Sequence, residues 1–194
     1  PKTISVSSFY MDETEITNNE YREFVYWVRD SIARTLLGEI QPDVYLISEN
    51  ERTGEVYDPP YLNWDEKIEW NSTEQDVRDA LEDMFLPEHE RFFGRKEIDT
   101  RKLFYEYYWI DLQAASRKEF GSDADYQNAS LANRPQGLKD RSVYIKKEKI
   151  NVYPDTLSWI HDYSYSFNDP LTERYFWHSA YDHYPVVGVN WNQA

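Results

Sequence analysis

Five residues near the end of the chain, His161, Asp162, His178, Asp182 and His183, are of types that bind transition metals. Zinc asks for three or four such ligands converging on one point, each oriented by a hydrogen bond from behind. His178 and His183 stand five positions apart in Trp-His-Ser-Ala-Tyr-Asp-His, a spacing that does not bring two rings to one face of a helix. The expected role of these histidines is therefore hydrogen bonding within an aromatic cluster. The acid pairs Asp12/Glu13, Glu82/Asp83 and Asp162/Asp169 raise glycoside hydrolysis, which needs two carboxylates roughly 5 to 10 Å apart. With 36 acids in 194 residues, neighbouring carboxylates arise from composition alone. Nothing in the sequence makes any pair converge. There is no cysteine, so a thiolate nucleophile, a disulfide and a cysteine-bound metal are all excluded from this stretch. Gly-rich phosphate loops and nucleophile elbows are absent as well. The expected catalytic, cofactor-binding and metal-ligating residues are none.

The chain suits one domain or part of one, and is long enough to bury a sizeable core. Its apolar material is aromatic: 17 Tyr, 9 Phe and 7 Trp. A core of wedged rings that keep a polar handle is expected, and exposed Trp or Tyr platforms would also suit carbohydrate binding. A formal net charge of −15 disfavours nucleic acid and anionic lipid as direct partners and makes a basic protein surface the natural counterpart. No run approaches the roughly 18 apolar residues of a membrane span. Neither a signal peptide nor a lipidation cysteine is present, and Pro1 is not a translational start, so the natural N-terminus and any targeting signal are expected outside this stretch. Asn71 and Asn128 open chance-level glycosylation triplets.

The element that must position everything else is a capped helix. Thr17 followed by Glu20 is a capping box, and Ile16 with Tyr21 could staple it. The spacing of Tyr21, Phe24, Val25, Val28, Ile32 and Leu36 predicts a helix from Asn18 to about Leu37, closed by Gly38 as C′ residue. Ile4 and Val6 predict a half-buried strand before it. Beyond it, the pattern predicts a short strand at Val44–Ile47, a turn at Arg52–Gly54 and an irregular return through the aromatic, proline-rich stretch Tyr57–Trp64, which packs on the core or forms a peptide groove. A second helix opens at Asn71-Ser72-Thr73-Glu74, capped by Ser72 or Thr73, and buries Val77, Leu81, Met84 and Phe85. Pro87 ends it or starts a short turn of helix over Glu88–Phe93.

Arg101–Ile110 predicts a strand with apolar residues on both faces, hence covered on both sides, with helix as the alternative for Tyr107–Ser116. Residues 121–139 read as a surface loop. Val143, Ile145, Ile150 and Val152 predict short strands around a Lys146–Lys149 tip, a solvated hairpin end or a seat for an acidic partner. Irregular aromatic packing follows over Tyr153–Trp177. At the end, Val186, Val187 and Val189 predict a short buried strand, and Asn190 with Gln193 a further helix start. A half-covered strand and a just-begun helix lead to the expectation that the domain continues beyond Ala194 or is completed by a neighbour.

The opening segment, with Glu15-Ile16-Thr17-Asn18 leading into Tyr21 and Phe24, resembles the start of the formylglycine-generating enzyme (sulfatase-modifying factor) family. The closing segment Tyr184-Pro185-Val186-Val187-Gly188-Val189-Asn190-Trp191-Asn192-Gln193-Ala194 resembles that family's His-Pro-Val-Val-x-Val-x-Trp-x-x-Ala signature, with Tyr184 in place of His. More narrowly, Phe24–Gly38, Lys96–Leu112 and Val152–Trp191 resemble the K-lipoprotein (PorK/GldK) branch found in the type IX secretion and gliding machinery.

The resemblance implies an α+β, formylglycine-generating-enzyme-like (C-type-lectin-related) domain with little regular secondary structure. Residues 1–194 would be the N-terminal part of one such domain, incomplete here, with a branch-specific insertion at about 39–182. The family's copper-binding cysteine pair lies beyond the valine segment, so no catalytic residue and no cofactor is carried over. The function implied is that of a non-catalytic, lipid-anchored component on the periplasmic side of the outer membrane, anchored outside this stretch and assembling as a homo-oligomeric ring with partner protein N (PorN/GldN). The alternatives are a fragment of an active cysteine-oxidising enzyme and a carbohydrate-binding module.

Overall fold

Thr17 does at the head of the first helix what its spacing from Glu20 requires. In the computed structural model, which describes residues 3, 5–6, 8, 10–50, 52–116, 144–162 and 174–194, the Glu20 N–H donates to the Thr17 hydroxyl, and the Thr17 N–H donates to the Glu20 carboxylate at 2.9 Å. The helix, α1, spans Asn18–Ile40. It runs past the expected end because Gly38 is not a terminator. Gly38 is buried inside the helix, where Leu46 lies so close that a Cβ would meet its Cγ at 2.8 Å. Ile16 is exposed, so the residue before the cap contributes its backbone rather than a buried staple.

The chain divides into two compact units, residues 1–103 with 151–194, and residues 104–150. In the first, α1 buries its two halves in different surroundings. Its N-terminal half carries Tyr21, Val25 and Val28, and Val152, Tyr175 and Phe176 are buried in the same unit. The Tyr21 hydroxyl donates to the Val152 carbonyl at 2.9 Å, and the Tyr21 ring meets Phe176 edge-on. Its C-terminal half packs Ala33 and Leu37 with Tyr45, Val77, Leu81 and Met84 into one core cluster. Leu37 and Leu81 are almost wholly buried, each a contribution of about 1.5–3 kcal/mol.

A short helix α2 (Pro42–Tyr45) turns the chain into β1 (Leu46–Glu49), which pairs antiparallel with β2 (Val56–Leu62). The return is a strand, and its irregularity is a bulge between the Ile47–Tyr61 and Glu49–Val56 pairs. The turn between them is built by Asn50, whose side chain accepts from the N–H groups of Arg52 and Thr53, and by Gly54 at positive φ. Helix α3 (Gln75–Glu82) buries Val77 and Leu81 as expected, but its cap position is Glu74, which makes no side-chain cap bond. Ser72 caps nothing inside the helix and instead accepts from the Glu74 N–H. Two short 3₁₀ turns, Glu88–Glu90 and Phe92–Gly94, follow Pro87. No strand forms over the described residues before Met11, where Val6 is exposed; Ile4 lies outside them.

In the second unit, β3 (Phe104–Ile110) pairs with β4 (Ile145–Asn151), and α4 (Leu112–Ser116) follows β3. The expectation of a strand covered on both sides fails: Phe104, Tyr108, Trp109 and Ile110 are exposed. Polar side chains lie against part of this strand. Lys149 lies over Phe104 at 5.0 Å, Lys147 over Tyr108 at 5.7 Å, and the Tyr107 hydroxyl donates to Glu148 at 2.9 Å. For the same reason Lys146–Lys149 is no hairpin tip. It is the body of β4, with the ammonium groups of Lys147 and Lys149 over rings of the aromatic strand. Residues 121–139 and Val143 lie outside the described residues.

The last described stretch holds a short helix, α5 (Ser158–Asp162), and irregular aromatic packing. Trp159 meets Tyr175 edge-on, and Tyr153 meets Phe176. Val186, Val187 and Val189 are half-buried but form no strand beyond a single bridge between Thr17 and Pro185. Asn190 and Gln193 do make the reciprocal bonds of a helix start, at 2.8 and 3.1 Å. Among the described residues, no helix is long and apolar enough to cross a membrane.

Candidate functional site

The first N–H groups of a helix have no partner inside it. In α1 the closing segment supplies them. Asn18 N–H donates to the Tyr184 carbonyl at 2.8 Å and Asn19 N–H to the Asp182 carbonyl at 3.0 Å, while Val186 N–H donates to the Ile16 carbonyl at 2.9 Å. Side chains deepen the junction. Asn18, fully buried, donates its amide to the Tyr181 carbonyl at 2.9 Å. Arg22 is nearly buried and donates to the Phe176 carbonyl and to the Asp182 carboxylate. On its other side the closing segment is held by the Asp155 N–H, which donates to the Gly188 carbonyl at 2.7 Å, and by Gln193, whose amide reaches the carbonyls of Asn151 and Tyr153.

This junction is where the candidate metal ligands fall. His178 accepts from the Ala180 N–H through Nδ1 and packs its ring against Tyr181. Asp182 is taken by Arg22, His183 is exposed, and His161 is exposed at the end of α5. Among the described residues, no group of three His, Asp or Glu side chains could hold a metal ion. Asp12 and Glu13 are exposed, and Glu82 is held by Arg91 at 2.5 Å and Lys96 at 2.6 Å. Those two cations, Lys96 foremost, hold the Glu82 carboxyl below its ordinary range. Asp169 lies outside the described residues.

What α1 does present is a column of rings on its outer side. Phe24 stacks with Trp27, Trp27 stacks with Trp64 at 5.8 Å and 6° between planes, and the Arg34 guanidinium sits 4.7 Å over Trp64. Trp64 comes from the stretch after β2, and Arg34 fixes that stretch by donating to the Asn63 carbonyl at 2.7 Å and the Glu66 carbonyl at 2.6 Å. Alongside, Arg29 lies between Tyr26 and Trp70, 4.7 and 5.0 Å from their ring centres. Tyr26, Trp27, Trp64 and Trp177 all stay at least 40% exposed. Tyr57–Trp64 therefore adds to an aromatic surface rather than disappearing into the core. The helical periodicity of the sequence pointed to Phe24 but not to Trp27, because Trp27 falls off the buried stripe and meets Trp64, a partner distant in sequence.

Comparison with protein-family models, with curated proteins and with solved structures finds no match. The architecture is a mixture of helix and strand.

Proposed function

We propose that this chain is a non-catalytic structural component of the type IX secretion and gliding machinery, acting by presenting surface to other proteins. The observation that carries the proposal is the junction of the two segments that resemble the formylglycine-generating enzyme family. Residues 16–19 and 182–186 share backbone hydrogen bonds, as segments of one domain of that type would. The exposed ring column on α1 supports the surface role, since large aromatics left open and braced by cations are characteristic of protein interfaces. On this reading the chain belongs to the K-lipoprotein branch. It would sit on the periplasmic side of the outer membrane, held by an anchor outside this stretch, and assemble in a ring with partner protein N.

Light scattering coupled to size exclusion, on this chain with and without purified partner N, tests the proposal. Co-elution that weakens as salt rises is expected from the charge of −15. Absence of a complex at low salt overturns it.

A further inference from the structure

The β1–β2 ladder pairs with no third strand among the described residues, and its two outer edges are unequal. β2 contains Pro59 and Pro60, which have no N–H to donate and so blunt an edge. β1 has no proline. Asn63 N–H donates to the Tyr45 carbonyl at 2.8 Å, and Leu46 stands opposite Leu62 in the next pair. The alternation of an antiparallel ladder then turns the backbone groups of Leu46 away from β2. Its N–H returns to the Pro42 carbonyl; its carbonyl is left facing outward.

The consecutive residues 46–50 line one wall of a cleft of about 670 Å³, within the ~300–1,000 Å³ range of ligand clefts, whose lining also takes in Tyr57 of β2 and Asn63 just after it. Its rim carries Asp43, Glu49, Asp65 and Glu66. All four are exposed, and none belongs to an ion pair among the described residues. Other acids, among them Glu82, Glu90, Asp99, Glu106 and Asp182, are each matched with a cation. The rim acids do not gather as metal ligands but come from α2, β1 and the stretch after β2, around one cleft. Unbalanced negative charge around a cleft that β1 lines is complementary to an extended chain carrying cations at intervals.

We propose that the outer edge of β1 docks an extended, basic segment of a partner protein. The segment adds as a third strand and sets its Lys or Arg side chains among Asp43, Glu49, Asp65 and Glu66. Main-chain hydrogen bonds to β1 hold the segment, and the carboxylates select its sequence and steer its approach. The site stands on the ladder and its charge, and holds whether or not the chain is a secretion-ring component.

Fluorescence anisotropy of the full chain with a short labelled peptide alternating lysine and valine tests this. A second peptide, identical but N-methylated along one edge, keeps the charge and removes the strand-pairing donors. The parent peptide is expected to bind, to weaken about tenfold from low to high salt, and to outbind the N-methylated one at least about tenfold. The variant Asp43→Asn with Asp65→Asn, both surface changes, is expected to weaken binding similarly with unaltered melting. Equal binding of the two peptides, unchanged affinity of the double variant, or no binding of the parent would each overturn the proposal.

Discussion

Gly188 and Asp155 are locked face to face. The Asp155 N–H donates to the Gly188 carbonyl at 2.7 Å, and a Cβ on Gly188 would lie 2.2 Å from the Asp155 carbonyl oxygen. Gly188 also holds φ at +76°, a region that side-chain-bearing residues adopt at a cost. Both demands fall on one residue, so Gly188→Ala is expected to destabilise the chain by about 3 kcal/mol or more. A chemical denaturation midpoint unchanged in this variant would show that the closing segment does not lie against residue 155 as described.

Gly38 offers the opposite test, because its obstacle is a side chain. In an exposed helix interior Gly→Ala gains about 1 kcal/mol, whereas here the new methyl meets Leu46. Overpacking of this kind costs about 1–3 kcal/mol. Gly38→Ala is expected to be destabilising alone and neutral or stabilising in a Leu46→Ala background. A double-mutant cycle on urea unfolding reads that change of sign.

Arg22 is nearly buried and Asp182 supplies its counter-charge. Asp182→Ala leaves a guanidinium with only the Phe176 carbonyl and Asn19 as acceptors. A loss of about 2–4 kcal/mol is expected. Replacing Arg22 by Met in the same variant is expected to recover part of it, since the stranded charge is then gone. Thermal melts of the single and double variants decide this.

Glu82 and Tyr21 each make stability depend on pH. The carboxyl of Glu82 is held down by Lys96 and Arg91, so folding is favoured above the unfolded carboxylate range and that favour is lost as pH falls through the depressed value. Glu82→Gln is expected to flatten the acid limb of the stability curve. At the other end, burial pushes the Tyr21 hydroxyl up to about 12. The unfolded chain ionises near pH ~10 while the folded one keeps its proton, so stability falls from about pH 10 to about pH 12, by on the order of 2 kcal/mol. Tyr21→Phe is expected to reduce the alkaline slope, to which Tyr45, Tyr107, Tyr153 and Tyr175 also contribute, at the expense of the bond to Val152. Urea midpoints measured across pH check both limbs.

Local rules were legible wherever the physics was local. The Thr17/Glu20 box, the turn at Arg52–Gly54, and the Asn190/Gln193 pair depend only on groups a few residues apart. Where a residue's role depended on a remote neighbour, the pattern misled. Gly38 has the type of a helix terminator, yet what lies against it is Leu46. Lys146–Lys149 has the composition of a solvated tip, yet Lys147 and Lys149 lie over rings of β3. Apolar alternation in β3 promised an apolar cover, yet what lies over Phe104 and Tyr108 is lysine. For the candidate sites, sequence identified His178 and Asp182 but not Arg22, whose burial no periodicity signals, and it could not show that Asp43 and Asp65 share a cleft.

Arg34 grips the chain after β2 through the carbonyls of Asn63 and Glu66, not through the side chains of Asp65 and Glu66. Mutational drift at those two positions would therefore leave the wall of the cleft standing while changing what it displays. Lineages could exchange acids for neutral or basic residues there, and so change partners, without first acquiring compensating changes in the interior.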